Sequence, residues 1–546
     1  MLNLATIHEA IAEVVPDREC LISGSQRFSW AETTDRTRRL ASLLRSHALG
    51  CHTPRAELKG WESGQDHVAL YLYNGHEYLE GMLGAFKARC APFNVNYRYV
   101  EEELRYLFAN SQAKAVIYHA AFAPTLEKIR AQLTQVRLWI QVADASGNAL
   151  LPGAVDYEEA LAKAQPDKPE DLSADDLYIL YTGGTTGMPK GVLWRQEDIF
   201  RAALAAGGTP KTLEGMQERA RKRPGPRALP APPFMHGAAH WVAFNMWHVA
   251  GTVVVQSNPR RMDPDDIWST IEREQVSSLT IVGDAFAVPL LDQLDAKSYD
   301  LSSLRQISTG GAILTAARKR ELLTRIPHIR ILDALGSSET GAQGSQLTKA
   351  GQAESAVVTG RFELAADNAV LSEDLSHTLS PGCGEVGWLA KRGRVPLGYF
   401  QDEKKTAETF PSVEGVRYSV PGDRCVLEAD GTLTLLGRDS VTINSGGEKI
   451  YAEEVEQALK HHPSVYDAIV VGTPSQRWGQ QVTAIVQLRK GEEADEAGMR
   501  RVAGEHLTSY KLPKVFVYVS AITRAPSGKA DYRWAVQTAL EALGLQ

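Results

Sequence analysis

The chain has 546 residues, enough for several domains or one large enzyme at about 150 residues per domain, which excludes a small binding module. It carries 59 Lys and Arg against 66 Asp and Glu, a formal net charge of −7. The surface as a whole therefore lacks the basic field that nucleic acid or an anionic membrane requires. Hydrophobic residues make up 43% and charged residues 23%, which is typical of a folded chain and not of a disordered one.

The cysteines and the amino terminus indicate a reducing compartment. The five cysteines are far apart and include no C-x-x-C pair of the kind that binds zinc or forms a redox couple. No apolar run is as long as a membrane span, and Glu9 and Glu13 interrupt the stretch where a signal peptide needs an apolar core. We therefore expect a cytoplasmic protein without a transmembrane segment.

Short apolar runs alternate with helix-like stretches along most of the chain. The absence of a fixed-period repeat disfavours solenoids and propellers, and the alternation predicts stacked α/β layers. The predicted strands are HVALYLY near Tyr71, AVIYHA near Val116, DLYILYT ending at Thr182, TVVVQ near Val254 and LTIVG near Ile281.

A basic stretch at residues 209–230, TPKTLEGMQERARKRPGPRALP, interrupts this alternation. Its Gly and Pro residues favour a solvated loop. Contact with a membrane surface or with CoA phosphates is the alternative interpretation.

The character of the sequence changes near Gly437. The polar, glycine-bearing connector GRDSVTINSGGEK is followed by a predicted helix, AEEVEQALKHHP, with Val455, Ala458 and Leu459 on one face. Strand candidates DAIVVG, VTAIVQL and VFVYV come next. The predicted fold class is α/β, with a large multilayer domain over 1–436, a smaller α+β domain over 437–546, and the active site in the cleft between them.

The strongest local motif is YTGGTTGMPKG at 181–191, directly after the strand DLYILY. Glycines let backbone N–H groups turn toward anionic oxygens, hydroxyls add donors, and a lysine supplies positive charge. It is not a Walker A loop, because Pro189 precedes the lysine and Gly191 follows it. We predict a phosphate-binding loop formed by Thr182, Gly183, Gly184, Thr185, Thr186, Gly187 and Lys190.

This loop and six further motifs resemble the adenylate-forming superfamily, which contains acyl-CoA synthetases, luciferases and the adenylation domains of peptide synthetases. The motifs occur in the family's order and cover the chain as far as Lys529. They are PPFMHG at 232–237, STGGA at 308–312, DALGSSETG at 333–341, YSVPGD ending at Asp423, GRDSVTINSGGEK at 437–449 and APSGKADYR at 525–533.

The resemblance implies a role for each matched residue. Lys529 corresponds to the catalytic lysine, Glu339 to a magnesium ligand, and Asp423 to the ribose-binding aspartate, with Arg438 as an added contact. His236 leads into the acyl pocket, with a hydrogen-bonded packing role as its alternative. The nucleotide would also contact Ser308, Gly310, Gly311, Ala312, Asp333, Gly336, Ser337 and Ser338, and Ser445, Gly446, Gly447 and Glu448 would enter the site for the CoA step.

The motif sequences most resemble those of acyl-CoA synthetases that activate fatty acids and steroid side-chain carboxylates. The implied function is ATP-dependent acyl-CoA synthesis with Mg²⁺, in which the carboxylate attacks ATP to give acyl-AMP and the CoA thiol then displaces AMP. Met235, Trp241 and Phe244, with the small residues Gly237, Gly310 and Gly311, predict a bulky apolar acid. The predicted partners are thus a carboxylic acid, ATP and CoA, without nucleic acid, and the sequence is compatible with a homodimer.

Two alternatives differ from this prediction. A related enzyme could pass the acyl group to a carrier protein, and a non-catalytic nucleotide-binding or acyl-binding homologue would be expected to lack Lys529 or Glu339, which are both present. The chain also departs from the family pattern. Gly183 replaces the usual Ser, Ser440 occupies the hinge position, and Met235 stands where amino-acid-activating enzymes carry Asp.

Overall fold

A computed structural model describes residues 2–182, 188–205, 208–352, 360–445, 448–525 and 528–545. Gly183, Gly184, Thr185, Thr186 and Gly187 of the predicted phosphate loop lie outside the described residues. So do Gly446 and Gly447 of the predicted CoA loop and two residues of the APSGK motif, 526 and 527.

The α-helices are numbered in chain order. They are α1 (Leu4–Val14), α2 (Trp30–Ser46), α3 (His76–Lys87), α4 (Glu101–Ser111), α5 (Ala123–Ile129), α6 (Tyr157–Lys163), α7 (Gln196–Ile199), α8 (Leu213–Lys222), α9 (Gly237–Trp247), α10 (Pro264–Glu274), α11 (Gly283–Ala296), α12 (Ala316–Arg325), α13 (Glu403–Thr409), α14 (Ala452–Leu459), α15 (Glu496–Gly504) and α16 (Tyr532–Ala542).

The β-strands are numbered in the same way. The first half are β1 (Glu19–Ser23), β2 (Gln26–Ser29), β3 (His67–Tyr71), β4 (Ala91–Asn94), β5 (Ala113–His119), β6 (Leu138–Val142), β7 (Val155–Asp156), β8 (Leu177–Thr182), β9 (Lys190–Arg195), β10 (Arg227–Pro230), β11 (Thr252–Val255), β12 (Ser278–Ile281), β13 (Gln306–Gly310) and β14 (Arg330–Ser337). The second half are β15 (Gly341–Lys349), β16 (Arg361–Leu364), β17 (Asn368–Leu371), β18 (Val386–Arg392), β19 (Gly398–Tyr399), β20 (Ser412–Val413), β21 (Val416–Ser419), β22 (Asp423–Leu427), β23 (Thr432–Arg438), β24 (Ile443–Ser445), β25 (Glu448–Ile450), β26 (Val465–Ser475), β27 (Gly479–Leu488) and β28 (Val515–Val519).

Three sheets build the large part of the molecule. A parallel sheet has the order β4-β3-β5-β6-β7, and β19-β9-β8 form an antiparallel one. The largest sheet runs β2-β1-β11-β10-β12-β13-β14-β15-β16-β23-β22-β18-β21-β20, with β17 paired to β18. Its strands from β1 to β14 along this order are parallel, and ligands of such sheets bind beyond the carboxyl ends of the strands. The predicted nucleotide motifs lie at those ends, where β13 and β14 finish.

The strands predicted in the first half of the chain are confirmed. The five apolar runs form β3, β5, β8, β11 and β12, whose residues are almost all buried. Near-continuous apolar runs are expected for strands covered on both faces. The prediction of a layered α/β fold is confirmed with them.

The loop predicted for the basic stretch is wrong. Residues Leu213–Lys222 form α8, and the side chain of Thr212 caps the helix by accepting a hydrogen bond from the backbone N–H of Gly215. Met216 and Ala220 are buried on one helical face. An end cap and a packed face outweigh the single glycine inside the helix, whose cost is about 1 kcal/mol.

The small carboxy-terminal unit has its own five-stranded sheet. Its order is β25-β24-β27-β26, with β28 parallel to β27. The helix predicted after Gly437 is confirmed as α14, and its residues Val455, Ala458 and Leu459 are buried as its sequence pattern indicates. The strand candidates are β26, β27 and β28. The boundary between 436 and 437 stays a prediction, and β23 runs across it.

Within the described ranges, no helix is both long enough and apolar enough to cross a bilayer. The cysteines are free thiols, and burial raises the pKa of Cys20, Cys90 and Cys425 above the ordinary value.

Candidate active site

Lys529 of the small unit reaches into the cleft of the large unit. A Cβ placed on Gly311, just past β13, would lie 3.3 Å from Lys529 Cε. Many protein atoms lie around the ammonium group, but the Lys529 side chain is still exposed to the solvent in the cleft. Desolvation, with the positive charge of Arg438, lowers the pKa of Lys529, while the carboxylates of Glu339 and Asp423 oppose this shift.

The backbone on either side of Lys529 is held by short-range hydrogen bonds and close packing. The backbone N–H of Ala525 donates to the carbonyl of Lys529 at 2.9 Å. Gly528 has φ +76°, and a Cβ there would lie 3.2 Å from a methyl carbon of Val282, directly before α11. The left-handed backbone and the close approach both favour glycine at this position.

Glu339 is buried beyond the end of β14, facing the same cleft. Its Oε1 accepts a hydrogen bond from the Tyr399 hydroxyl at 3.0 Å, and its backbone carbonyl accepts one from the Ser419 hydroxyl at 2.7 Å. One fixed carboxylate suits Mg²⁺ that is also bound by substrate phosphates. The described residues contain no group of three or more His, Cys, Asp and Glu that could hold a metal ion by themselves.

Asp423 and Arg438 face each other across two paired strands. They are register partners in β22 and β23, and Arg438 Nε donates to Asp423 Oδ1 at 3.1 Å. The charge of Asp423 raises the pKa of Arg438, so this guanidinium stays positive beside Lys529. The backbone N–H of Arg438 faces the buried carboxyl group of Glu453 on α14 at 3.5 Å.

His236 lies directly before α9 and is neutral. Desolvation, helped by the nearby charge of Lys529, lowers its pKa to about 3. Its Nε2 is buried, and within the described part of the chain it has no hydrogen-bond partner. A contact to the acyl group and a hydrogen-bonded packing role both stay predictions for His236.

A buried polar chain on α9 and β8 fixes the wall behind His236, and sequence reasoning missed it. The Tyr178 hydroxyl bonds His240 Nε2 and accepts a hydrogen bond from Trp241 Nε1 at 2.9 Å. His240 Nδ1 bonds the carbonyl of Phe234 at 2.6 Å. Because Tyr178 and His240 lie 62 residues apart, no local sequence pattern pointed to this contact.

The glycines that suggested acyl-pocket volume are closely packed. A Cβ on Gly237 would lie 3.1 Å from the Trp241 ring, and one on Gly310 would lie 3.0 Å from the carbonyl oxygen of Ala334. Phe244 and Trp247 belong to the main apolar core. These glycines therefore let neighbouring groups pack closely and do not open space for a ligand. The prediction of a bulky acid then depends on Met235 and Trp241.

The described ends of the predicted phosphate loop are adjacent. Thr182 at the end of β8 is the register partner of Lys190 at the start of β9. The ammonium of Lys190 forms an ion pair with Asp402. A role for Lys190 toward phosphate stays a prediction.

The remaining predicted nucleotide residues line the ends of β13 and β14. Asp333 forms a buried ion pair with Lys319 at 2.9 Å, and the Ser308 hydroxyl accepts a hydrogen bond from Gln306. Ser337 bonds Thr340, and the carbonyl of Ser338 accepts a hydrogen bond from Trp194. A Cβ on Gly336 would lie 2.3 Å from the carbonyl oxygen of Gly341, so a side chain there would break the turn. Ala312 follows Gly311 and packs partly buried against the neighbouring apolar core.

The predicted CoA loop is described only at its ends. Ser445 closes β24 and Glu448 opens β25. The next residue, Lys449, forms an ion pair with Glu373 of the large unit at 2.7 Å. The structure thus brings Lys529, Glu339, Asp423, Arg438 and His236 to one cleft, with this hairpin attached to the large unit at Glu373.

Sequence comparisons match most of the chain to known proteins. The AMP-binding enzyme family matches residues 8–400, and the AMP-binding enzyme C-terminal domain matches residues 454–529. The medium-chain acyl-CoA ligase Mig of Mycobacterium avium is 50% identical over 98% of both chains. The 3-oxocholest-4-en-26-oate–CoA ligase of Rhodococcus rhodochrous is 39% identical over 98% of this chain and 95% of the relative.

Solved structures share the fold at lower identity. The anthranilate CoA ligase AuaEII in complex with anthranoyl-AMP aligns with a TM-score of 0.82 at 20% identity, covering 99% of this chain and 98% of that one. ATP-bound MatB from Rhodopseudomonas palustris aligns with a TM-score of 0.81 at 23% identity, covering 99% of this chain and 100% of that one. These likenesses support the two-part architecture described above.

Proposed function

Because the chain belongs to the AMP-binding enzyme family, as an AMP-forming acid–thiol ligase, we propose that it joins CoA to a medium-chain or long-chain fatty acid or to a steroid side-chain carboxylate. The observation that carries the proposal is the placement of Lys529 in the cleft among Glu339, Asp423 and Arg438. The names of the relatives at 50% and 39% identity support both acid classes.

In the first step the substrate carboxylate attacks the α-phosphorus of ATP, forming acyl-AMP and releasing pyrophosphate. Both reactants are anions, so positive charge must be fixed where negative charge develops. Lys529 and Arg438 supply that charge in the cleft. Asp423, held by Arg438, accepts hydrogen bonds from the ribose hydroxyls and sets the orientation of the nucleotide.

Magnesium, bound by Glu339 together with ATP oxygens, would neutralise part of the phosphate charge. Tyr399 holds the carboxylate of Glu339 in one orientation through its hydroxyl. We propose that neutral His236 contacts the acyl carboxylate through its Nε2 without adding charge.

In the second step the CoA thiol attacks the acyl carbonyl, the thiol loses its proton, and AMP leaves with the electrons of the broken anhydride bond. We propose that residues 445–448 serve this step after the small unit, residues 437–546, changes orientation. The chain's use of ATP and CoA, with its free thiols, supports a cytoplasmic location.

A pyrophosphate-release screen tests the proposal. The parent protein is mixed with ATP, Mg²⁺ and a panel of carboxylic acids with and without CoA, and acyl-CoA is measured by mass. We expect fatty acids or steroid carboxylates to give both products, and acetate and α-amino acids to give little. Transfer to a holo carrier protein, with none to free CoA, would support the carrier-loading alternative instead.

A further inference from the structure

The guanidinium group of Arg524 ties the segment that carries Lys529 to the sheet of the small unit. Arg524 forms a two-pronged ion pair with Asp467 on β26, with Nε 2.6 Å from Oδ2 and Nη2 2.7 Å from Oδ1. Its third nitrogen, Nη1, donates to the carbonyl of Gly528 at 3.2 Å. Gly528 directly precedes Lys529, so Arg524 connects the sheet to the backbone that presents the lysine.

Described residues on the two sides of this segment also bond each other. Arg524 and Ala530 form an antiparallel bridge, and Ala525 N–H donates to the carbonyl of Lys529. Lys529 is therefore attached on both sides to residues whose position depends on Arg524.

A β-bulge in β26 directs Asp467 toward Arg524. The pairing of β26 with β27 shifts between Val465 and Asp467, so Tyr466 is the extra residue. Bulges of this kind change the direction of a side chain. The carboxylate also accepts a hydrogen bond from the N–H of Ala468 at 2.9 Å and pairs with Lys460 at 3.1 Å.

The ion pair is largely shielded from solvent. The Asp467 and Arg524 side chains are only 15% and 16% exposed. Although burial opposes it, the charges of Lys460 and Arg524 hold the pKa of Asp467 below its ordinary value, so the pair stays ionised. A shielded bidentate pair fixes geometry more strongly than a surface pair does.

The large unit contacts the same segment from its other side. Arg98 Nη1 lies 3.4 Å from the carbonyl oxygen of Arg524, and Gly528 packs against Val282. The position of the Lys529 backbone is thus fixed between the sheet of the small unit and the wall of the cleft.

We propose that the Asp467–Arg524 ion pair positions Lys529 for acyl-AMP formation. Asp467 and Arg524 act through the backbone of Gly528 and Lys529, and they are positioning residues. The inference rests on the proposed function. A catalytic group that is displaced by about 1 Å can lose two orders of magnitude in rate, so weakening this attachment should slow the step that uses Lys529.

The test compares two half-reactions in single-turnover assays with the full chain. Asp467→Asn removes the charge with little change of shape, and Arg524→Lys keeps the charge but loses the two-pronged geometry. Each should slow acyl-AMP formation roughly 10- to 100-fold, while thioester formation from supplied acyl-AMP and CoA stays within about twofold of the parent. Glu505→Gln is the matched control, because it breaks the exposed pair with Arg501 in the same unit.

A double-mutant cycle separates positioning from general damage. In a Lys529→Ala background, Asp467→Asn should cost less than about twofold further, since its effect passes through the missing lysine. An equal loss in both backgrounds would overturn the inference, as would parental rates for Asp467→Asn. If Asp467→Asn lowers the thermal midpoint so far that the variant is unfolded in the assay, Arg524→Lys is compared in the same two backgrounds instead. A parent protein that forms no acyl-AMP with any acid would instead refute the proposed function.

Discussion

Desolvation and nearby charges together set the pKa of the Lys529 ammonium. Desolvation and Arg438 lower its pKa from the ordinary 10.5. In the proposed mechanism, acyl-AMP formation uses the protonated form. We expect the rate of pyrophosphate formation to fall as pH rises through this lowered pKa, so the alkaline limb of the pH profile lies below that of an ordinary lysine. Lys529→Arg, which keeps its charge, should lack this limb, and an unchanged limb in that variant would assign it to another group.

Removing the charge altogether should be far more costly. Lys529→Ala loses a group aimed at developing negative charge, a loss on the order of 3–4 kcal/mol or more, so acyl-AMP formation should slow by about 10²- to 10³-fold or more. Its thermal midpoint should stay near that of the parent. Single-turnover rates within about tenfold of the parent would remove Lys529 from the catalytic residues.

Two polar side chains of α9 bond one hydroxyl group on β8, that of Tyr178. Tyr178→Phe would leave the buried His240 Nε2 and the partly buried Trp241 Nε1 without their partner. Unpaired buried polar groups cost about 1–3 kcal/mol, so denaturant unfolding should show a loss of that size. Tyr510→Phe at an exposed position is the control, and equal stability of the two variants would show that the polar chain does not stabilise α9.

At the scale of the whole molecule, a charged chain spans the two units. Glu373 pairs with Lys449 of the small unit at 2.7 Å and lies 3.4 Å from buried Arg424, which stacks on Trp388. Glu373→Gln should loosen the orientation that places Lys529 in the cleft. Because Glu373 is exposed, we expect acyl-AMP formation to fall by less than about fivefold, with no loss in thioester formation. The ratio of the two half-reaction rates measures this, and a fall in both steps alike would contradict it.

Buried histidines should set the acid limit of stability. Desolvation lowers the pKa of His67, His240 and His248 to about 4, and that of His236 to about 3. In the unfolded chain these histidines have the ordinary pKa of 6.5, so below that pH the unfolded chain binds more protons than the folded one. The free energy of unfolding should therefore decrease as pH falls from about 6.5 to 4.

His76 shifts in the opposite direction. Despite desolvation, Glu80 and Glu77 raise its pKa to about 10, so its contribution to stability is complete below 6.5 and is lost as pH rises toward 10. The thermal midpoint measured across this range should be highest near neutral pH. His76→Gln should flatten the alkaline side, and an unchanged alkaline side would show that the pairing of His76 with Glu77 and Glu80 does not contribute.

Much of the fold was predictable because many of its helices and strands are set by residues close together in the sequence. Runs such as DLYILYT must bury both faces, and Val455, Ala458 and Leu459 share one face at helical spacing. The exception, α8, has a mixed pattern in which Met216 and Ala220 are its buried contacts. Local charge and glycine content favoured a loop there, and packing against the rest of the chain decided for a helix.

The candidate site also has a part that the sequence predicts and a part that only the tertiary structure decides. The order of the motifs named Lys529, Glu339, Asp423 and Arg438 as candidates, since each motif is a short continuous string. Their meeting in one cleft is decided by tertiary structure, because Glu339 and Lys529 are 190 residues apart in sequence and lie on different units. The contacts of Tyr178 with His240 and of Asp467 with Arg524 join side chains 62 and 57 residues apart. No local pattern encodes such pairs, whereas strand register, a β-bulge and burial from water select them.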